Sequence, residues 1–196
     1  MSVAPLRGGR PRQDQLLGAT LDVLREKGYD RLTVDAVVAR ARASKATVYR
    51  RWPSKSALVV AAFASAVEGV ATQRDTGSLR GDLLAALDGL LGEMDRLGDV
   101  IAGLVGELQR NAELADAMRA GYIDAQRQMV VDIFNRARER GELAAGADVE
   151  MLWQLAPSVI SFRVLLAGEP VDRAYVTRLV DEVVLPLAQH RPASAT

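Results

Sequence analysis

The chain has 196 residues, no cysteine, 49% hydrophobic side chains, and 25 basic against 25 acidic residues. That length holds one large domain or two small ones with an ample core, and the missing cysteine excludes disulfides and thiol-ligated metal. An even charge balance excludes a uniformly basic nucleic-acid coat, yet the charge is not evenly spread: residues 1–56 carry twelve basic and five acidic side chains, net +7, and the rest carries −7. A basic head on an acidic body is the footprint of a protein that meets nucleic acid with one end. The longest apolar run, Leu58 to Val67, is about half of what a bilayer span needs. No apolar signal region follows the N-terminal arginines, so a cytoplasmic protein without a membrane partner is expected.

Residues 1–11 contain Arg-Gly-Gly-Arg-Pro and no apolar periodicity, and read as a flexible basic arm. Arg7, Arg10 and Arg12 suit an adjacent minor groove; the competing reading is a disordered tail of nonspecific charge. From Arg12 to Lys27, Leu17, Leu21 and Leu24 share one helical face, and Gly28 just past Lys27 is a helix stop. Tyr29 and Leu32 are expected to close a small three-helix core.

The stretch TVDAVVARARASKATVYRRWPSKSAL, residues 33–58, organises the rest. Thr33 is a good N-cap, with Val34, Val37, Val38 and Ala41 following at helical spacing. The periodicity breaks at Arg42-Ala43, and Ser44 is a second N-cap. The seven- or eight-residue helix it opens carries Lys45, Thr47, Tyr49, Arg50 and Arg51, with only Ala46 and Val48 to face inward. Burial cannot hold such a helix. Its cations, hydroxyl and phenol suit phosphates and base edges, while the preceding helix supplies the packing. Pro53 stops it and Ser54 caps the next helix. This reads as a helix-turn-helix with the second helix as recognition helix, although two short helices and a turn also occur in cores and solenoid repeats, and a cation-rich face is often only solvated. The competing reading is a non-regulatory helical binding or scaffold protein with a vestigial motif; the dense cations and hydroxyls over residues 44–55 weigh against it.

Ser54 to about Thr72 forms a longer helix, with Leu58, Val59, Ala62, Phe63, Ala66 and Val70 inward, leading from the head (12–56) into the body (57–190). A loop over 74–78 precedes a helix from Leu79 to Leu97, which Gly98 ends and Asp99 restarts to about Arg110. Residues 111–140 form the next helix, with Gly121 as its weak point. Asp148 to Ala167 and Val171 to about Gln189 are the last two, with Pro157 and Pro186 expected to kink rather than end them. Residues 191–196 are a flexible tail. Alternation never persists, so no strand is expected. The expected fold is all-α with about nine helices, an N-terminal three-helix head and a larger C-terminal bundle.

Gly28-Tyr29, Thr33-Val34, Ala39, Ala41, the run Ser44 to Trp52 and the run Ser54 to Leu58 resemble the signature of the TetR family of bacterial transcriptional repressors. The motif-bearing resemblance covers residues 10 to 60. Arg42 departs from it, standing where the family has Gly, and Ala43 stands where it has a large apolar residue. A non-glycine at a left-handed position costs about 1 kcal/mol.

The resemblance implies that Lys45, Thr47, Tyr49 and Arg50 face the groove of double-stranded operator DNA, with Thr33, Ser44, Arg51 and Lys55 nearer to phosphates. It further implies a homodimer on a pseudo-palindromic operator, released by a small-molecule effector. The last two helices are apolar around much of their circumference and would form a four-helix interface with their symmetry mates, with Val159, Phe162, Tyr175, Leu179 and Val183 taking part. A largely apolar effector would lie inside the body, among Phe63, Met94, Leu97, Leu104, Met118, Tyr122, Gln126, Trp153 and Phe162; each of these also serves as plain core. The one histidine, His190, lies near the tail, and no zinc-protease, nucleophile-elbow or phosphate-loop motif occurs. No catalytic residue, metal or cofactor is therefore expected.

Overall fold

The computed structural model describes residues 9–67 and 75–190. Residues 1–8 of the arm expected over 1–11, the end of the long helix beyond Val67 and the tail at 191–196 lie outside the described residues, while residues 9–11 of that arm are helical instead. All regular structure among the described residues is helical: α1 (Gly9–Arg31), α2 (Val34–Arg40), α3 (Lys45–Tyr49), α4 (Lys55–Val67), α5 (Leu79–Leu108), α6 (Ala112–Met118), α7 (Asp124–Glu139), α8 (Val149–Ser161), α9 (Arg173–Leu179) and α10 (Leu185–Gln189). Wider π-helical turns at Arg119–Ile123 and Val180–Val184 join α6 to α7 and α9 to α10, and a third at Phe162–Leu166 extends α8. Taken together with these turns, the described residues form eight helices.

That is one fewer than the spacing predicts, because α5 runs unbroken through Gly98. An interior glycine costs about 1 kcal/mol, and burial of Leu97, Val100 and Leu104 along α5 offsets it. Asp99 does not cap a new helix but accepts a hydrogen bond from Arg25 at 3.0 Å. Gly28, by contrast, does break α1: its backbone sits at φ 72, ψ 170, where a Cβ would be strained. Pro157 lies inside α8 without ending it. Pro186 lacks an N–H for the carbonyl four residues back, and the wide turn just before it accommodates that loss.

The chain forms two compact units. The first joins the described residues up to Val67 with Leu97–Ile123, so the three expected head helices pack as one unit with α4, the end of α5, and α6. Its core includes Leu16, Leu32, Val37, Val48, Leu58 and Leu114. Within it, the Phe63 ring of α4 meets Tyr122 edge-on, centroids 4.8 Å apart. A Cβ on Gly121 would lie 2.7 Å from Val60 Cγ1, so only glycine lets the wide turn approach α4 this closely.

The second unit holds the described part of Gly69–Arg96 with Asp124 onward. Leu79, Phe134, Ile160, Val176 and Val180 centre its apolar core. Asp82, in the first turn of α5, is fully buried. It accepts hydrogen bonds from the Thr76 N–H at 2.7 Å, the Thr76 hydroxyl at 2.8 Å and Arg140 at 3.2 Å, with Arg136 at 3.4 Å. Arg140 also binds Asp75 and Glu142, and Glu142 accepts the Leu79 N–H. Burial pushes the Asp82 carboxyl up, but these donors and the Arg136 charge outweigh it and hold the group below the usual carboxylate range.

Candidate nucleic-acid interface

The helix-turn-helix is built by caps. The Thr33 hydroxyl accepts the Ala36 N–H at 3.2 Å to open α2, and Ser44 accepts the Thr47 N–H at 3.3 Å to open α3. Between them, α2 closes in a Schellman motif: the Ala43 N–H donates to the Val38 carbonyl at 2.9 Å and the Arg42 N–H to Ala39 at 3.4 Å. Arg42 takes the left-handed position of that motif at φ 48, the one non-glycine with positive φ among the described residues. The turn is therefore left-handed although an arginine stands in it.

α3 is held by one side chain, Val48, which is 0% exposed, followed by the buried Trp52 at the end of the turn that closes the helix. At about 100° per residue, Lys45, Tyr49, Ala46 and Arg50 fall in that order on one arc of about 140°, and all four are exposed. Ala46 was expected inward; it is exposed on this arc instead, and a methyl is the kind of group that suits a thymine methyl. Thr47 lies off the arc, half-buried, and its hydroxyl shares a hydrogen bond with Ser44 at 2.9 Å. It completes the cap rather than facing outward.

Most cations here are tied down. Lys45 is paired with Asp35 at 2.7 Å, which holds its ammonium above the ordinary value. Arg40 grips Glu26 of α1 with two bonds at 2.7 and 2.6 Å, and Arg51 donates to Gln13. Lys55, expected at the phosphates, donates to the Tyr29 carbonyl at 3.0 Å and lies 4.1 Å from that ring's centroid. The Tyr29 hydroxyl in turn shares a 2.7 Å hydrogen bond with Ser56, so Lys55 and Ser56 fasten α4 to the end of α1. Of the basic side chains from Thr33 to Lys55, only Arg42 and Arg50 have no hydrogen-bond or ion-pair partner among the described residues.

The nine candidate effector residues divide between the units. Phe63, Leu97, Leu104 and Met118 are buried in the first unit's core with Tyr122 packed against it. In the second unit Met94 packs against the core, Gln126 and Trp153 are half-buried, and Phe162 is exposed. Of the expected dimer residues, Phe162 is 62% exposed and Val183 is exposed, with Val159 and Tyr175 half-buried. Leu179 is only 6% exposed and belongs to the second unit's own core. Met151, Leu187 and Leu166, the last 77% exposed, extend the uncovered apolar set. The window Val149–Leu166, mean hydropathy 1.3, is long and apolar enough to cross a membrane by length and composition alone. It also carries Glu150, paired with Arg127, and Arg163, paired with Glu169.

Residues 16–62 match the model for bacterial regulatory proteins of the tetR family, and residues 73–183 match that for the tetracyclin repressor-like C-terminal domain. An uncharacterised HTH-type transcriptional regulator of Mycobacterium tuberculosis is 43% identical over 176 residues, 90% of this chain and 87% of its own. The DNA-binding transcriptional repressor TetR of Mycobacteroides abscessus is 36% identical over 184 residues, 91% and 95% of the two chains. The crystal structure of TetR family transcription regulator SCO0332 superposes with a TM-score of 0.75 at 34% identity, covering 92% of this chain and 99% of that one. With its capped helix-turn-helix, its all-α fold and relatives matched along nearly its whole length, this chain belongs to the TetR family of helix-turn-helix transcriptional regulators.

Proposed function

We propose that the protein is a homodimeric repressor that binds a pseudo-palindromic double-stranded operator through α3 and is released by a small, largely apolar effector. The exposed arc of Lys45, Tyr49, Ala46 and Arg50 on a helix fixed from behind by Val48 carries this reading. It presents two cations, a phenol and a methyl, the set that reads base edges and phosphates in a major groove. The name of the Mycobacteroides abscessus relative, a DNA-binding transcriptional repressor, supports repression. The exposed Phe162, Leu166, Val183 and Leu187 support pairing, since an isolated chain rarely leaves so many large apolar groups in water.

Release follows from α4. Only five residues separate the end of α3 from the start of α4, and Phe63 of α4 packs within the cluster that holds Leu97, Leu104, Met118 and Tyr122. An apolar ligand that inserts among these side chains binds two placements of α4 differently, the condition for any shift of DNA affinity. The coupling is reciprocal and typically about 1–3 kcal/mol. Sedimentation with a duplex enriched from a random-sequence pool tests the reading: two chains per duplex support it, and one chain, or no DNA retained, contradicts it. An inducer from a panel of apolar compounds should then weaken DNA binding by the factor by which DNA weakens inducer binding.

A further inference from the structure

We propose that Arg42 is a phosphate-contacting residue of the DNA-binding surface, held in place by the strained turn it occupies. The inference rests on the DNA-binding reading above and adds a residue to it. Glycine is the residue that φ 48 favours, and Arg42 is exposed and has no hydrogen-bond or ion-pair partner among the described residues. Neither packing nor an internal ion pair compensates the strain, so the fold alone gives no reason for an arginine here. Strain kept without a folding benefit points to function.

Position supplies that function. In a helix-turn-helix on DNA the first helix crosses the phosphate backbone and the second enters the groove by its N-terminal residues. The turn joining them therefore sits at the rim, where phosphates run. Arg42 lies two residues before the Ser44 cap of α3 and directly after the Ala41 cap of α2. Two backbone hydrogen bonds, from Ala43 to Val38 and from Arg42 to Ala39, fix the base of its side chain. A guanidinium anchored there forms a charge-assisted bond to phosphate with little further ordering, and no exchange of an internal partner is needed.

The test is one substitution that moves stability and binding in opposite directions. Arg42→Gly relieves the strain and removes the charge. Its melting temperature should rise by about 2–4 °C. Its affinity for a duplex enriched by the wild-type protein, and for a scrambled duplex of the same composition, should both fall about tenfold. The slope of log affinity against log salt should become shallower by about one for each protomer bound. Arg42→Ala keeps the strain and loses the charge, so it should show the same binding loss without the thermal gain; Arg42→Lys should recover most of the slope. An unchanged salt slope in Arg42→Gly and Arg42→Ala, with wild-type binding intact, overturns the proposal and leaves the DNA-binding reading standing. If the wild-type chain shows no salt-dependent DNA binding, both fall.

Discussion

The two units solve the problem of surface differently. In the first, short helices that could not stand alone are pinned by caps and ion pairs to longer ones: α2 by Arg40–Glu26, α3 by Ser44 and Lys45–Asp35, and α4 by Lys55 on Tyr29. In the second, one buried carboxylate organises a cluster of arginines, while α8 to α10 leave Phe162, Leu166, Val183 and Leu187 uncovered. The first unit leaves Arg42 and Arg50 without a partner among the described residues, and the second leaves large apolar side chains uncovered. Each surface suits a different partner, polar for nucleic acid and apolar for a second copy.

The largest effect should separate core from uncovered surface within the second unit. Leu179→Asp puts a carboxylate into the unit's own core and should cost more than about 4 kcal/mol, with loss of helical circular dichroism. Phe162→Asp touches only exposed surface in the single chain. It should keep the helical signal while converting a dimer to a monomer in sedimentation, because the charge enters the interface twice by symmetry. If Phe162→Asp remains dimeric and folded, the uncovered face is not the interface.

Next in size is the buried carboxylate. Asp82→Asn removes the charge that Arg136 and Arg140 share and should cost about 3 kcal/mol in urea unfolding, at the low end for a buried pair because both arginines reach water. The folded carboxyl is held low, so its contribution is present above the unfolded value of about 4 and is lost as pH falls through the folded value. Wild-type stability should therefore decline in acid more steeply than that of Asp82→Asn. Parallel pH profiles would remove Asp82 from this role.

In the first unit, Arg50→Ala should cost about 1–3 kcal/mol on the enriched duplex and relax preference at the base it reads, with a smaller loss on scrambled DNA. Equal loss on both sequences would make Arg50 a phosphate contact. Asp35→Asn is the smallest change. It releases Lys45 from its exposed pair and should tighten binding to every sequence by about two- to fivefold, leaving the ratio of specific to nonspecific affinity unchanged. Weaker binding would show instead that Asp35 positions Lys45 for the groove.

The all-α fold and the capping serine and threonine of residues 33–58 were legible, because periodicity and caps are local chemistry; the left-handed turn was not, since arginine at residue 42 argues against the backbone it adopts. The helix count was not: whether Gly98 ends a helix depends on what Leu97 and Val100 bury against, which is tertiary. The same limit misplaced Ala46, since a methyl carries no sign of which side of α3 it takes and the choice falls to Val48. It also hid the role of Lys55, whose carbonyl partner lies 26 residues away in α1. α8 and α9 are apolar on so many sides that periodicity cannot tell the side facing their own core from the one left open, hence Leu179 inside and Phe162 outside.

Whether α3 reads the operator is decided by unbiased selection of bound duplexes from a random-sequence pool by the wild-type protein, repeated with Arg50→Ala. The wild type should enrich an inverted repeat whose half-sites lie about 34–36 Å apart, with information lost at matching positions of both half-sites in the variant. Enrichment of no sequence, or of a site that Arg50→Ala selects unchanged, would contradict α3 as the reading element.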